Sequence, residues 1–167
     1  MSDDPNVLQP AAWDADLTET PFRARLLRAG AHAGARELGA TLYDLEPGGS
    51  VSPYHVHHSN EEMLVVLAGR PTLRTPDGTR TLEPGAVVAF PRGPEGAHRV
   101  TNPGDEPARV LLVSTMHHPD VAEHVDTGAT LVIAGYAEGK VFPAGNDVPF
   151  VDAIMRAMQA GDEAERP

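Results

Sequence analysis

Short apolar stretches rich in β-branched residues alternate with turn residues through the middle of the chain. This spacing is typical of antiparallel strands joined by tight turns, and not of helices alternating with strands. The turns carry Gly and Pro, in the segments EPGGS (46–50), TPDGT (75–79), EPGA (83–86), RGPEG (92–96) and NPGDEP (102–107). The strands predicted around them are GATLYDL (39–45), EMLVVLA (62–68), PTLRT (71–75), AVVAF (86–90), HRVTN (98–102) and ARVLLVST (108–115).

Two turn signals add information on topology. The Pro-Asp-Gly of residues 75–79 suits a hairpin, with Gly78 free to take positive φ. Leu-Glu-Pro-Gly occurs at 45–48 and again at 82–85. We expect equivalent turns that enter two related hairpins, as in a double Greek-key sandwich. The sequence therefore predicts an all-β fold.

The two ends of the chain differ from this strand-rich middle. Residues 21–30 suit an outer strand or a short helix, and the pattern does not decide between them. The helical spacing of PFVDAIMRAMQA predicts a short C-terminal helix. The predicted division is a flexible acidic arm at 1–20 with Trp13 as its anchor, a barrel at 21–145, the helix at 146–160 and a disordered tail at 161–167.

Composition restricts the class of protein. A chain of 167 residues is long enough for one domain with a hydrophobic core. The absence of cysteine excludes disulfides, thiolate metal sites and cysteine nucleophiles. Because the acidic N-terminus is no signal peptide and no apolar run could span a bilayer, we expect a cytoplasmic protein. The net charge of −11 argues against nucleic acid and membranes as partners and leaves a small-molecule substrate, an anionic one included.

Four residues carry the candidate chemistry. His55 and His57 form a His-x-His pair, whose imidazoles lie on the same face of a strand. Glu62 follows across a short turn, and a later strand can bring in His98. Neutral imidazoles with a carboxylate suit a divalent ion such as Fe, Mn, Ni, Zn or Cu. Four protein ligands on a six-coordinate metal would leave two positions open for chemistry.

The spacing of these residues and of nearby glycines resembles the two motifs of the cupin superfamily. The motifs and the stretch between them cover residues 49–102. The sequence of the second motif is similar to that of a subgroup of small single-domain bacterial cupins. It has four residues between its last glycine and its histidine, where the family has about two. The residues that match are Gly49, His55, His57, Glu62 and Gly69 in the first motif, and Gly85, Pro91, Gly93, His98 and Asn102 in the second.

The resemblance implies a double-stranded β-helix, or jelly roll, with a metal ion inside the barrel. Its ligands would be His55, His57, Glu62 and His98, and a metal-free polar network is the alternative. The motif glycines are expected at turns that need positive φ. Asn102 is expected to brace the strand that carries His98.

The remaining polar residues near the motifs are expected to have structural roles. Strand alternation places His58 and Glu61 on the outward face, and Tyr54 outside the barrel, opposite His55. His32 has no predicted role.

A second histidine cluster, consisting of His117, His118 and His124, follows the last predicted strand. Two interpretations stay open for it. The favoured one is a solvated loop, and the other is a proton shuttle near the metal.

Three functions fit such a metal-binding protein. The favoured one is a dioxygenase-type oxidoreductase that acts on a small enol, diketone or aromatic compound, with Glu62 also serving as the catalytic base. The second is a non-redox sugar or keto-acid isomerase, with His117 or His118 as the base. The third is a small-molecule binding protein without turnover. We also expect a homodimer, formed through residues 1–30 or an exposed sheet edge.

Overall fold

The computed structural model describes residues 4–135, 138–145, 148 and 151–154. Within them the chain forms short strands, a short α-helix, a 3₁₀ helix and a helical segment at 151–154. The first two helical segments are α1 (Ala29–His32) and the 3₁₀ helix at Pro94–Gly96. The strands are β1 (Ala15–Asp16), β2 (Ala24–Leu27), β3 (Leu38–Leu45), β4 (His55–His57), β5 (Glu62–Ala68), β6 (Thr72–Thr75), β7 (Gly78–Thr81), β8 (Val87–Phe90), β9 (Arg99–Thr101), β10 (Ala108–Thr115), β11 (Asp120–His124), β12 (Ala129–Gly135) and β13 (Glu138–Phe142).

The strands build the two layers of a jelly roll. The first layer is a six-stranded antiparallel sheet in the order β1-β2-β3-β10-β5-β8. The second layer consists of the sheets β13-β12-β11-β4 and β7-β6-β9. A β-bridge between His55 and His98 joins these two sheets. Apolar side chains from both layers, among them Leu64, Val100 and Val110, fill the space between them. The all-β double-stranded β-helix predicted from the sequence is confirmed.

The predicted strands of the middle segment all form, with ends that differ by at most one residue. The predicted hairpin is also present, because β6 pairs with β7 and Thr75 lies opposite Gly78. Gly78 has a φ of 123°. Residues 21–30, for which the pattern did not decide, contain both a strand, β2, and the beginning of α1.

The described part of the N-terminal arm is docked on the outer face of the first layer. β1 pairs with β2, and Trp13 packs on the cluster around Leu27 and Leu42. The carboxylate of Asp14 accepts hydrogen bonds from the backbone N–H of Arg28 at 2.7 Å and from Nε2 of His32 at 2.8 Å. His32, for which the sequence indicated no role, therefore holds this arm. The domain boundaries as a whole stay a prediction.

The C-terminal helix predicted at 146–160 is described only in part. Residues 151–154 are helical. Apart from residue 148, the rest of that segment lies outside the described residues, and so does the tail at 161–167. No described helix is both long and apolar enough to cross a membrane.

Two adjacent glycines shape the turn after β3. Gly48 has a φ of 79° and its counterpart in the second Leu-Glu-Pro-Gly, Gly85, has a φ of 88°, so the two copies form equivalent turns. The expectation of positive φ at Gly49 is wrong, because positive φ falls on its neighbour. Gly49 is required for a different reason, since a Cβ there would lie 2.5 Å from the carbonyl oxygen of Arg23.

Candidate metal centre

The four predicted ligands converge between the two layers. His55 and His57 lie on one face of β4, because side chains alternate along a strand. Glu62 is the first residue of β5 in the opposite layer. His98 immediately precedes β9, and reciprocal backbone hydrogen bonds of 3.1 and 2.9 Å pair it with His55. Local alternation and one β-bridge therefore bring the three histidines together, and the packing of the two layers brings in Glu62.

The imidazole Nε2 atoms surround one carboxylate oxygen. Oε2 of Glu62 lies 3.2 Å from Nε2 of His98, 3.6 Å from that of His57 and 3.9 Å from that of His55. The potential ligand atoms of His55, Glu62 and His98 all lie within 4.8 Å of one another, and these three residues are buried. This trio could hold a metal ion. His57 is half-buried and is not part of the trio, although its Nε2 lies near the same oxygen.

Backbone carbonyls set the tautomers of two of the histidines. Nδ1 of His55 lies 3.0 Å from the carbonyl oxygen of Pro53, and Nδ1 of His98 lies 2.9 Å from that of Gly96. Because a carbonyl oxygen only accepts, each Nδ1 carries the hydrogen and each neutral ring presents the lone pair of Nε2 to the site. Burial, followed by the nearby His98 and His57, lowers the pKa of His55 from 6.5 to about 4, so its ring is neutral at pH 7.

Asp120 sets the orientation of the third histidine. Its Oδ2 lies 2.5 Å from Nδ1 of His57, and its Oδ1 accepts a hydrogen bond of 2.9 Å from the backbone N–H of Ser59. Asp120 is completely buried, and burial acts to raise its pKa, but hydrogen bonds from His57, Asn60 and Ser59 outweigh that effect and lower the pKa overall. The ionised carboxylate therefore accepts a hydrogen bond from the Nδ1–H of His57, which leaves the Nε2 lone pair of that ring for the site.

The sequence analysis missed Asp120. It stands in the segment HHPDV, which follows a strand and carries no local signal of burial. Its approach to His57 depends on the pairing of β11 with β4, in which Ala122 lies opposite His57. A metal-ligating histidine commonly donates its second N–H to a carboxylate, so such a partner could be expected in general. Only the strand register shows which carboxylate it is.

The chemistry of the donor set fits a cation. All the atoms that converge here accept hydrogen bonds, and among the described residues Oε2 of Glu62 and Nε2 of His98 are buried without a hydrogen-bond partner. Leaving buried acceptors unpaired costs free energy. Burial acts to raise the pKa of Glu62, but a hydrogen bond from His98 and the charges of the three imidazoles, all of which act only when the rings are protonated, lower it overall, so the carboxylate is ionised at neutral pH. A divalent ion would satisfy these acceptors together.

A cavity of about 230 Å³ opens onto Glu62 and His57. Its remaining walls carry apolar and hydroxyl-bearing side chains together with the polar side chains of Asn60, His118 and Asp120, and among the described residues that line it there is no arginine or lysine. A small molecule in this cavity would reach the candidate metal centre. The apolar and hydroxyl-bearing side chains are Thr41, Tyr43, Leu112, Ser114, Met116 and Ile133.

The comparisons with known proteins agree with this geometry. Residues 41–114 match the family model Cupin_2, described as a cupin domain. The chain contains a cupin domain. Among curated proteins no sequence matches the chain.

Several solved cupin-like structures resemble the chain. A protein described as a "Putative sugar phosphate isomerase" from Acidithiobacillus ferrooxidans is 27% identical, with 76% of this chain and 80% of that chain covered and a TM-score of 0.69. A sugar phosphate isomerase of the cupin superfamily from Silicibacter pomeroyi is 26% identical, with 85% and 90% covered and a TM-score of 0.70. The polyketide cyclase RemF from Streptomyces resistomycificus is 26% identical, with 64% and 76% covered and a TM-score of 0.53.

The longer spacing in the second cupin motif has a structural role here. The residues between Gly93 and His98 form the 3₁₀ helix at Pro94–Gly96. Its last carbonyl is the one that accepts the Nδ1 hydrogen of His98. Phe90 stacks on the same imidazole, with ring centroids 3.7 Å apart and planes 6° from parallel. The extra residues and Phe90 thus fix the orientation of His98.

The second histidine cluster is divided by the structure of this cupin. His117 and His118 are exposed in the loop between β10 and β11, which agrees with a solvated loop. His118 also lines the cavity that contains Glu62. His124 belongs to β11 and lies opposite His55, so it is part of the sheet and not of a loop.

The residues expected on the outward face are found there. His58 makes a surface contact of 2.8 Å between its Nε2 and Oε1 of Glu123, and Glu61 is exposed. Neither of them faces the cluster of ligands.

Tyr54 is placed on the far side of the strand from the ligands, but it is not exposed. Its ring packs with Val56 and Ala97 and is only 6% exposed. The guanidinium of Arg74 covers it, 3.9 Å from the ring centroid. Arg74 is held there by a bidentate ion pair with Asp126. This outer face of β4 is therefore covered as well.

Proposed function

We propose that this cupin is a metal-dependent enzyme that isomerises a small hydroxy carbonyl compound of the sugar or keto-acid class. The proposed ligands of one divalent ion (Fe, Mn, Ni, Zn or Cu) are His55, His57, Glu62 and His98. The observation that carries the proposal is the set of unpaired acceptors, Oε2 of Glu62 and Nε2 of His98, beside a cavity whose wall includes the imidazole of His118.

The residues of the cavity have distinct roles in this proposal. A divalent ion held by the four ligands would act as a Lewis acid that polarises a substrate carbonyl. His118 takes the proton from the hydroxyl-bearing carbon beside that carbonyl and returns it to the former carbonyl carbon. The hydroxyl proton passes to the former carbonyl oxygen, so the atoms balance and no oxidant is consumed. Leu112 and Met116 limit the access of water to the enediol formed on the way.

Two observations rank the isomerase before the dioxygenase that the sequence favoured. His118 lines the cavity, so a base other than the ligands is at hand. The structure with a TM-score of 0.70 is described as a sugar phosphate isomerase of the cupin superfamily, and the one with a TM-score of 0.69 as a "Putative sugar phosphate isomerase".

A dioxygenase-type oxidoreductase that acts on an enol, a diketone or an aromatic compound is the second candidate. The three-imidazole, one-carboxylate set suits redox-active ions, and the apolar wall of the cavity suits an aromatic ring. In that case Glu62 would serve as the base. A binding protein without turnover is the third candidate.

Metal analysis tests the proposed ligands. The chain is loaded anaerobically with each ion, desalted and measured by mass spectrometry of the metal. We expect one ion per chain in the wild type, and its loss in His57→Ala. The matched control is His58→Ala, because His58 is the neighbouring histidine on the outward face. Absence of bound metal under every loading condition would overturn the site.

Turnover in D₂O tests the reaction. Short aldoses and hydroxy keto acids are followed for isomerisation and deuterium exchange, with oxygen uptake recorded in parallel. We expect oxygen-independent turnover that falls roughly 10²- to 10⁴-fold in His118→Ala. His117→Ala, a change of the exposed neighbouring histidine, is the control and should stay near the wild type. Oxygen consumption coupled to product would instead favour the dioxygenase.

A homodimer and a cytoplasmic location complete the proposal. The support for a dimer is β8, an edge strand of the first layer, which carries Val87 with 60% of its surface exposed. Light scattering at micromolar concentration should give twice the chain mass of 17.7 kDa. A monomer under those conditions would contradict the dimer.

A further inference from the structure

A second cavity, of about 340 Å³, lies at the edge of the first layer. β2 pairs only with residues 42–45 of β3, so residues 38–41 have no strand on that side. The segment α1 packs there, with Gly30 close to the backbone of Ala40. The cavity lies between this segment, the open edge of β3 and Met116, and it is open to solvent on one side.

The second cavity adjoins the one at the candidate metal centre. Four residues line both of them: Gly39, Thr41, Met116 and His118. The side chain of Met116 lies over Gly39, where a Cβ would come within 2.7 Å of its sulfur. His118, the proposed base, therefore lies at the junction of the two cavities.

The two cavities differ in charge. We call the second cavity the outer cavity and the one at the candidate metal centre the inner cavity. Arg28 and Arg36 line the outer cavity, whereas the described lining of the inner cavity has neither arginine nor lysine. Nε of Arg28 is 3.2 Å from Oδ2 of Asp14, so part of its charge is already compensated. Arg36 is exposed and has no acidic partner within the part of the chain that the structure describes. In a chain with a net charge of −11, the presence of two arginines in the lining of one cavity favours an anion there over the rest of the surface.

We propose that the outer cavity binds an anionic oxygen group of the substrate, with Arg36 as the main cation and Arg28 as the second. This inference rests on the proposed function, since it names the substrate class of the same centre. The substrate is then a short hydroxy carbonyl compound with a phosphate or carboxylate group at its far end. Its reacting carbons lie beside His118, and its carbonyl reaches the ligands Glu62 and His57.

Anion binding to the metal-free protein tests the outer cavity separately from catalysis. The full chain, treated with a chelator, is titrated with inorganic phosphate and, in a second arm, with acetate, and backbone amides are followed by NMR. We expect saturable shifts at Gly39, Ala40 and Thr41, with affinity about tenfold lower in Arg36→Gln. The control is Arg80→Gln, which removes an equally exposed arginine from β7. The tighter of the two anions identifies the substrate group as a phosphate ester or a carboxylate.

Two outcomes would overturn the anion site. One is an affinity in Arg36→Gln equal to that of the wild type. The other is the absence of shifts at residues 39–41 with both anions. Neither outcome depends on metal or turnover, so a failure of the isomerase proposal would not be mistaken for a failure of this one.

Kinetics of the metal-loaded protein then connect the anion site to the substrate. A phosphorylated or carboxylated aldose should have a lower KM than its uncharged counterpart. Arg36→Gln should raise that KM about tenfold, with a smaller effect on kcat, since the charged end of the substrate does not react. An equal KM for charged and uncharged substrates would contradict the assignment.

Discussion

At the scale of the residue, the candidate centre depends on which nitrogen of each imidazole carries the hydrogen. Backbone carbonyls determine this for His55 and His98. For His57 the buried carboxylate of Asp120, a side-chain group, determines which nitrogen carries the hydrogen. That contact can therefore be changed by substitution without any change in the backbone.

The first prediction concerns Asp120→Asn. The amide keeps the shape of the side chain but removes the charge that holds the Nδ1 hydrogen of His57. We expect the affinity for a divalent ion to fall roughly 10- to 100-fold, measured by competition with a chromophoric chelator. Glu123→Gln is the control, because Glu123 lies on the same strand and makes a similar contact of 2.8 Å to His58. Unchanged affinity in Asp120→Asn would show that Asp120 does not position the ligand.

At the scale of the element, the centre depends on how the strand that follows His98 is held. Asn102, just after β9, is buried, and its amide nitrogen donates to the carbonyl oxygens of Leu45 at 3.0 Å and Glu106 at 2.8 Å. Its Oδ1 accepts a hydrogen bond from the backbone N–H of Gly104. Asn102 thus connects β9 to the end of β3 and to the loop before β10, which confirms the expected bracing role.

The second prediction concerns Asn102→Ala. The substitution leaves buried carbonyl groups without donors, so the free energy of unfolding should fall by about 2–3 kcal/mol. Urea denaturation of the metal-free protein measures it. Asn6→Ala serves as the control, since Asn6 makes comparable backbone contacts at the surface and its loss should cost about 0.5 kcal/mol or less. Equal losses in the two variants would argue against the bracing role.

At the scale of the whole molecule, the centre is buried because the two layers close over it. β4 and His98 belong to one layer and Glu62 to the other. Burial of His55 in this space makes a positive charge on its imidazole unfavourable when no metal is bound, which lowers its pKa. Global stability is therefore coupled to pH through the site.

The third prediction is that acid destabilises the metal-free protein through His55. The pKa of His55 is about 4 in the folded chain, against 6.5 for an unperturbed histidine. Between these values the unfolded chain binds the proton and the folded chain does not. The free energy of unfolding should therefore fall as the pH drops from 6.5 to 4, by about 3 kcal/mol from this group. Below that range, protonation of Glu62 and Asp120, whose pKa values are lowered, continues the loss.

The comparison of wild type with His55→Asn measures this contribution. Asn retains an amide N–H near the carbonyl of Pro53 but does not titrate. Urea denaturation at pH 7 and pH 4 should show a smaller loss in the variant by about 3 kcal/mol. An identical pH dependence in both proteins would contradict the assignment.

The sequence alone determined the strands, the turns and the four candidate ligands. The strands and turns depend on local rules, and the set of four ligands depends on the resemblance of their spacing to the cupin motifs. Side-chain alternation put His55 and His57 on one face, and glycine at positive φ marked turns such as those at Gly78 and Gly85. The prediction was wrong at Gly49, whose role depends on the approach of a backbone segment from residue 23 and not on its own φ.

Only the tertiary structure decided the features that depend on contacts between distant segments. The pairing of β4 with β11 selected Asp120 as the partner of His57, and the packing of α1 on the open edge of β3 produced the cavity with Arg36. His118 lies in the wall of the inner cavity because its loop connects β10 of the first layer to β11 of the second. Alternation and turn propensity act over a few residues. Strand register and layer packing join residues about sixty positions apart, as His57 and Asp120 are, and no local pattern encodes them.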